Sequence, residues 1–369
     1  MADIEVSDLA VLDAALEAVP DSPAVFVLWP RQGDPYVSKT VRLRRRLRRL
    51  LRERETPSRV LNLRHTVARI EYQLTASGLE SSLVYYEAAR RHFPDTYLEM
   101  IRLRMPPYVK ILLANEFPRS QLTTHLTRTG DAKAPLFFGP FRSRVSAEKF
   151  ESQFLDLFQM RRCQEDLVPS PDHPGCIYGE MAMCLRPCQQ VVGGAEYGHE
   201  VERAAEFLRS GGRSLVDSIS RSRDRLSEEM NFEEAARQHK RFERVQEVLK
   251  LRDELAGDLD RLHGVGITRS EAPGSVELWF LRGGYWQLPQ RFSFEAREGR
   301  PVSMDQQLRT VLASVEARKL TVRERQEYLA LLARWYYSSW RDGEWLSFES
   351  WDDIPYRKLV HAISRVARQ

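Results

Sequence analysis

Residues 24–54 read AVFVLWPRQGDPYVSKTVRLRRRLRRLLRER, and the order of patterns in this stretch sets the architecture. Ala24-Val25-Phe26-Val27-Leu28-Trp29 is an apolar, β-favouring run, and Pro35-Tyr36-Val37-Ser38 is a second; Arg31-Gln32-Gly33-Asp34 between them has turn chemistry, so the two read as a hairpin. The period then changes. Leu43, Leu47, Leu50 and Leu51 recur at i, i+4, i+7 and i+8, one buried stripe of a helix over about 41–54. Strands followed at once by an amphipathic helix predict an α+β fold.

Residues 1–20 predict a short amphipathic helix with Leu9, Leu12, Ala15 and Leu16 on one face. Downstream, a helix is expected over about 78–92, stopping before Pro94, with strands at 107–113 and 121–128. Phe137-Phe138-Gly139-Pro140-Phe141 closes that region and a helix should begin near Ser146. The window from Cys163 to Cys188 holds too many prolines and glycines for one regular element. Residues 197–257 predict a helical hairpin broken at Gly211-Gly212. In the tail, 276–281 and 285–294 flank Arg282-Gly283-Gly284 as a β-hairpin, and a later helix starts at Thr321 with Glu324 completing a capping box. The expected domains are thus an N-terminal helix (1–20), a small α/β unit (21–103), a strand, helix and cysteine region (104–200), a helical hairpin (201–257) and a C-terminal α+β domain (258–369).

The chain has 369 residues, 42% hydrophobic and 29% charged, which suits several cored domains and not a disordered chain. No window approaches about 18 uncharged apolar residues, so no membrane partner is expected. The acidic first twenty residues lack a basic leader, and a cytoplasmic protein is expected. Walker, dinucleotide-binding and Ser/His/Asp patterns are missing from the sequence, which removes those enzyme classes.

Arginine outnumbers lysine 48 to 8. The bland reading of that bias is a GC-rich genome, which encodes arginine in preference to lysine. Eight of the arginines, however, fall within 42–54 and cover the helix outside its leucine stripe, with Glu53 the lone acid. Guanidinium forks match phosphate oxygens better than ammonium groups do, so nucleic acid is the natural partner of Lys39, Arg42, Arg45, Arg46 and Arg49. The alternative is a solvated face whose arginines pair with acids elsewhere.

All 4 cysteines lie in one window, as Cys163-x12-Cys176-x7-Cys184-x3-Cys188. A cytosolic cluster of this kind points to metal before disulfide, and spacing alone leaves a [4Fe–4S] cluster and zinc both open. His173 and His263 have no paired ligands and read as surface residues.

The series of motifs resembles the N-terminal half of the bacterial UvrC excinuclease family, GIY-YIG nucleases of nucleotide excision repair. Ala24-Val25-Phe26 and Tyr36-Val37-Ser38-Lys39 stand at its two name-giving motifs, and Phe138-Gly139-Pro140-Phe141-Arg142-Ser143 resembles its F-G-P-Y-x-S. Arg161-Arg162-Cys163, Pro174-Gly175-Cys176 and Cys184-Leu185-Arg186-Pro187-Cys188 resemble its cysteine region. Met230-Asn231-Phe232-Glu233-Glu234-Ala235-Ala236 resembles its UVR motif, departing at His239-Lys240 where the family has Arg-Asp. The resemblance implies a [4Fe–4S] cluster on the four cysteines, DNA as partner, and docking of a UvrB-like helicase through Phe232, Glu233, Ala235 and Ala236. The rival reading of that segment is a hairpin sealed within the chain.

The resemblance also implies a nuclease site, and here the sequence departs from it. Phe26 lacks the first hydroxyl, Ser38 replaces a glycine, Tyr85 occupies the metal-binding glutamate position and Tyr97 an asparagine position. Tyr36, Lys39 and Arg46 remain. A phenol is a poor ligand for a hard cation such as Mg²⁺. The expectation is a non-catalytic DNA-binding relative; the alternatives are an active nuclease using Mg²⁺ on Glu80 or Glu87, and a structural or regulatory protein outside repair. The family's second, RNase H-like nuclease is not expected in 258–369: Asp305, Asp342, Asp352 and Asp353 are scattered in helix or loop context. Trp335, Tyr336, Tyr337, Trp340, Trp345 and Trp351 could stack bases, but a core is the simpler expectation.

Overall fold

The computed structural model describes residues 2–53, 61–128, 134–294, 303–318 and 320–368. The chain begins with a strand, β1 (Ala2–Glu5), and not with the helix expected over 1–20; α1 (Leu9–Ala18) follows, its first turn capped by the Asp8 carboxylate. Ala2 and Ile4 alternate with Asp3 and Glu5, so β1 has one weakly apolar face, and Ile4 packs onto the first core opposite Ile70 of its neighbour. The predicted hairpin is present as β2 (Ala24–Pro30) and β3 (Tyr36–Thr40), with Val27 opposite Val37. The arginine helix, α2 (Leu43–Leu51), is shorter than 41–54 and ends at Arg52; Arg54 lies outside the described residues. An unanticipated strand, β4 (Val67–Leu74), runs through the middle of the sheet, whose order is β1-β4-β2-β3. One face of this sheet buries Phe26, Leu28 and Ile70 against the leucines of α1 and α2. The other face, with Val25, Val27 and Val37, meets α3 (Gly78–His92) at Ala88. Next, α4 (Tyr97–Ile101) ends in a left-handed Arg102, φ 50°.

The middle region builds a second sheet from β5 (Tyr108–Ile111), β6 (Ser120–Thr123) and β7 (Leu136–Gly139), the first two shorter than 107–113 and 121–128. α5 (Arg144–Leu155) starts earlier than Ser146, because the Ser143 hydroxyl accepts the Ser146 N–H at 3.1 Å and fixes the first turn there. Phe138, Phe141, Phe150, Phe154 and Phe158 pack ring on ring beneath it. The cysteine window is loop, interrupted by the single turn α6 (Ile177–Glu180) and a 3-10 turn at Pro187–Gln189. Residues 197–257 hold three helices, not two: α7 (Gly194–Arg209), α8 (Arg213–Glu228) and α9 (Phe232–Lys250). Gly211 and Gly212, at φ 61° and 93°, make the expected break, but the hairpin proper turns later, at Met230 (φ 56°), where Asn231 caps α9. β8 (Gly257–Asp258) returns to pair with β7 and completes the order β6-β5-β7-β8.

The tail forms a third sheet from β9 (His263–Arg269), β10 (Ser275–Arg282), β11 (Tyr285–Trp286), β12 (Gln290–Ser293) and, after α10 (Met304–Ala313) and α11 (Val322–Tyr336), β13 (Glu344–Phe348); α12 (Tyr356–Arg368) follows. The capping box predicted at Thr321 and Glu324 is formed. α11 packs on α3, far away in sequence, in one core with Leu79, Tyr86, Trp279, Leu329 and Trp335. A buried carboxylate fastens the two helices: Glu327 accepts from the Tyr86 and Tyr97 hydroxyls, each at 2.6 Å, and from Arg323 at 2.9 Å. Asp342 adds a clasp, accepting the Trp335 indole N–H at 3.0 Å and the first N–H of α3. The tail aromatics thus mainly build core: Trp335 is fully buried, Trp345, Tyr336 and Tyr337 pack around it and Trp351 joins the other tail core, while Trp340 is half-exposed. Among the described residues no helix is long and apolar enough to cross a membrane.

Candidate functional site

The β2–β3 hairpin is flanked by α2 on one face of the first sheet and by α3 on the other, and Tyr36, Lys39, Arg46 and Tyr85, the positions expected to match a nuclease site, lie along it. Phe26 lies in register with Ser38, its ring buried 6.2 Å from that of Tyr36. Arg46, one turn into α2, points inward and donates to the Tyr36 hydroxyl at 3.0 Å. On the opposite face of β3 the Lys39 ammonium donates to Ser82 at 3.3 Å and sits 6.0 Å from the Tyr85 ring. Tucking that ammonium between α3 side chains lowers its pKa, and the nearby Arg334 charge lowers it further. Burial first, and then Tyr36, raise the Tyr85 phenol above its ordinary value, so it stays protonated. Tyr85 therefore reaches the site but brings no negative charge to it.

Neither alternative glutamate turns toward these residues. On α3, residue 80 lies 140° and residue 87 lies 200° around the helix from residue 85. Glu80 accepts the Ala76 N–H at 2.8 Å, and burial, reinforced by Glu277, pushes its carboxyl up to about 7. Glu87 accepts from the Tyr328 hydroxyl. Both line a separate cavity together with Trp279 and Trp286. Ser82 and Arg334 belong to the Lys39 environment, and no sequence signal marked them, because each comes from a distant segment.

On the outer face of α2 the leucine stripe is buried as expected, and the arginines divide. Arg44 donates to the Val19 carbonyl at 2.6 Å and Arg48 pairs with Glu17. Arg42, Arg45, Arg49 and Arg52 are solvent-exposed, and among the described residues Arg42, Arg45 and Arg52 have no carboxylate partner. Arg44, Arg45, Arg48, Arg49 and Arg52 surround a shallow depression of about 600 Å³ that contains one acid, Asp21. Its carboxylate is engaged by the Arg45 backbone N–H at 3.1 Å.

The cysteine loops are tied to the middle region. Buried Arg161 donates to the Phe117 and Glu165 carbonyls at 2.9 and 2.7 Å and to the Cys163 sulfur at 3.4 Å. The Arg186 N–H points at the Cys184 sulfur, 3.4 Å away, and the Ser170 N–H holds the Cys188 carbonyl at 2.9 Å. Burial pushes the Cys184 thiol up to about 11, and charge on Cys163, Cys176 and Cys188 would raise it further, so the four sulfurs share one neighbourhood. Among the described residues, however, no three Cys, His, Asp or Glu side chains are gathered closely enough to hold a metal ion; Cys176 is exposed, whereas Cys184 and Cys188 are buried. The donor set itself is soft throughout, which suits iron–sulfur or zinc. His173 accepts the Gly175 N–H at 3.0 Å as part of a loop turn, and His263 is half-buried, stapling the β10 turn through the Gly283 N–H, so it is not the surface residue expected.

At the tip of the α8–α9 hairpin, Met230 is 77% and Phe232 66% exposed. Glu233 and Ala236 are exposed too, and Ala235 alone of the motif is buried. The internally sealed reading therefore fails for Phe232 and Ala236. Lower in the hairpin, Ile219, Val245 and Val248 enter the middle core. In the tail sheet, Glu277 stands opposite Thr268 and Glu344 opposite Ile267, adjacent positions of β9, so these strand carboxylates face opposite sides. Asp305 lies in α10, and Asp342, Asp352 and Asp353 lie outside helices and strands, scattered as expected.

Residues 107–207 match the family model described as the UvrC/Cho excinuclease middle domain. Curated relatives include the UvrABC system protein C of Moorella thermoacetica, 27% identical over 274 residues, which cover 74% of this chain and 44% of that protein. The protein of the same name from Caldanaerobacter subterraneus subsp. tengcongensis is 23% identical over 291 residues (78% and 46%), and that of Methylococcus capsulatus 25% over 270 residues (73% and 43%). The chain resembles UvrC over about three quarters of its length and spans less than half the length of these relatives. No solved structure matches.

Proposed function

We propose that this chain is a UvrC-like DNA-binding protein of nucleotide excision repair whose GIY-YIG site no longer cuts. The observation that carries the reading is the pairing of Tyr36 with Arg46 beside a protonated Tyr85, while Glu80 and Glu87 are committed on other sides of α3. Such a site keeps the cationic groups that would meet a phosphodiester and lacks the carboxylate that would place a divalent metal against it. Loss of that metal removes several kcal/mol of charge stabilisation from the transition state.

The exposed face of α2, with Arg42, Arg45 and Arg49 and with Arg46 at its inner edge, is the proposed DNA contact, joined by Lys39 from the other face of β3. Cys163, Cys176, Cys184 and Cys188 would hold a [4Fe–4S] cluster, zinc being the alternative; closing the set takes movement of more than one of the cysteine loops. When bound, the group would cross-link loops that are otherwise held by Arg161 and a few backbone bonds. Phe232, Glu233, Ala235 and Ala236 would dock a UvrB-like hairpin, with exposed Phe232 as the anchor. Incubation with nicked or lesion-bearing duplex and Mg²⁺ or Mn²⁺ tests the reading: retarded but intact DNA is expected. Incision that disappears in Arg46→Ala would show an active nuclease instead.

A further inference from the structure

A groove of about 990 Å³ opens between the middle region and α11, and no residue of α2 lines it. Its walls carry Arg102, Arg104, His125, Arg142, Arg144 and Arg334, and no carboxylate is found among the described residues that line it. Arg144 is compensated by Glu148 at 2.7 Å. Arg334 is anchored on the Ile101 carbonyl at 2.9 Å. Arg102 and Arg104 are exposed and have no carboxylate partner among the described residues. The Arg142 guanidinium lies 5.2 Å from the centroid of the Tyr337 ring, and the Tyr337 hydroxyl donates to the Pro140 carbonyl at 3.0 Å. Arg142 and Tyr337 thus put a guanidinium and an aromatic ring side by side in the wall of the groove. The Phe138–Ser143 motif supplies this wall, a part of the sequence pattern that the proposed function leaves unused.

So many guanidiniums around one concavity repel one another unless an anion joins them, and their planar forks match phosphate oxygens. A duplex keeps its bases stacked inside and would offer such a groove only its phosphates. An unpaired strand can thread it, because its bases are free to stack on arginine planes while its phosphates meet the remaining arginines. We infer that this groove binds a single-stranded nucleic-acid segment, with Arg102 and Arg104 on backbone phosphates and the Arg142–Tyr337 stack under a base. Arg334 also acts on Lys39 at the remnant nuclease site, so the groove and that site are electrostatic neighbours. The groove and the exposed face of α2 are different surfaces, and strand binding in one does not require duplex binding on the other.

The test uses the full chain and the fluorescence anisotropy of a labelled oligothymidylate and a labelled blunt duplex, each titrated at several salt concentrations. Arg102→Gln/Arg104→Gln should flatten the single-strand log–log salt slope by about 1.4, at about 0.7 per lost phosphate contact, so its deficit is about sevenfold larger at 50 than at 200 mM salt. Arg142→Gln should weaken oligothymidylate binding with little change of slope. Arg102→Lys/Arg104→Lys should keep the parental slope, which separates lost charge from misfolding. A parental affinity and slope in both glutamine variants would overturn the inference, as would an equal loss toward duplex. Arg45→Gln/Arg49→Gln is the distinguishing arm. If it alone weakens duplex binding, the α2 reading stands whatever happens in the groove; if only the groove variants lose binding, the inference stands without α2.

Discussion

Replacing Arg42 and Arg45 by glutamine together with Arg52, which lines the same depression as Arg45 and extends the proposed contact, isolates the electrostatic role of α2. These side chains are exposed and have no carboxylate partner among the described residues, so their loss leaves no buried charge unpaired. The leucine stripe beneath stays intact, and the change in folding stability should remain within about 0.5 kcal/mol per site. The DNA effect should be large. Each phosphate neutralised on a duplex contributes about 0.9 to the slope of log affinity against log salt, so three lost contacts remove about 2.7. Between 200 and 50 mM salt, the parent should therefore gain about fortyfold more affinity than the variant. Anisotropy titrations of one labelled duplex at several salt concentrations, with a thermal melt as folding control, measure both quantities. Equal slopes in parent and variant would show that α2 is a solvated face and would remove the DNA contact from the account.

Burial that pushes Glu80 up to about 7, against an ordinary value of 4.5, means that the folded chain keeps a proton which the unfolded chain releases. Stability is therefore lost as pH rises from about 4.5 to about 7, by up to about 3 kcal/mol, and Glu80→Gln should flatten that fall in urea titrations at pH 5 and 8; an unchanged pH profile would contradict the assignment. Phe232→Ala should leave the melting temperature unchanged, since the ring is 66% exposed, while weakening pull-down of a UvrB-like partner; a lower melting temperature would return Phe232 to an internal role. Anaerobically purified protein should absorb in the visible, and Cys184→Ser should bleach it; stoichiometric zinc in a colourless sample would replace the iron–sulfur proposal.

What could be read along the chain was whatever repeats locally. The β2–β3 hairpin, the leucine stripe of α2, the bounds of α3 and the Thr321 capping box each follow from a few neighbouring residues. The strand β4 was missed although Ile70, Tyr72 and Leu74 alternate, because Arg69, Glu71 and Gln73 between them make the run look polar. β1 alternates Ala2, Ile4 and Val6 with Asp3 and Glu5, a period of two too short to stand out beside the helical spacing of Leu9, Leu12 and Leu16. The second break of the hairpin region hid in Met230, a side chain with no turn preference held at positive φ. The candidate site divides the same way. Tyr36, Lys39, Arg46 and Tyr85 were found by their order in the chain, whereas Ser82, Arg334 and the clasp between α3 and α11 join segments far apart in sequence. That packing also decides the fate of Glu80 and Glu87, which spacing alone left as candidate metal ligands.

The most direct test of the account is incubation of the full chain with lesion-bearing and nicked duplex in Mg²⁺ and in Mn²⁺, followed by denaturing electrophoresis alongside a binding assay on the same samples. The account predicts salt-sensitive binding and full-length strands at every time point. A discrete incision product that is lost in Arg46→Ala would contradict it.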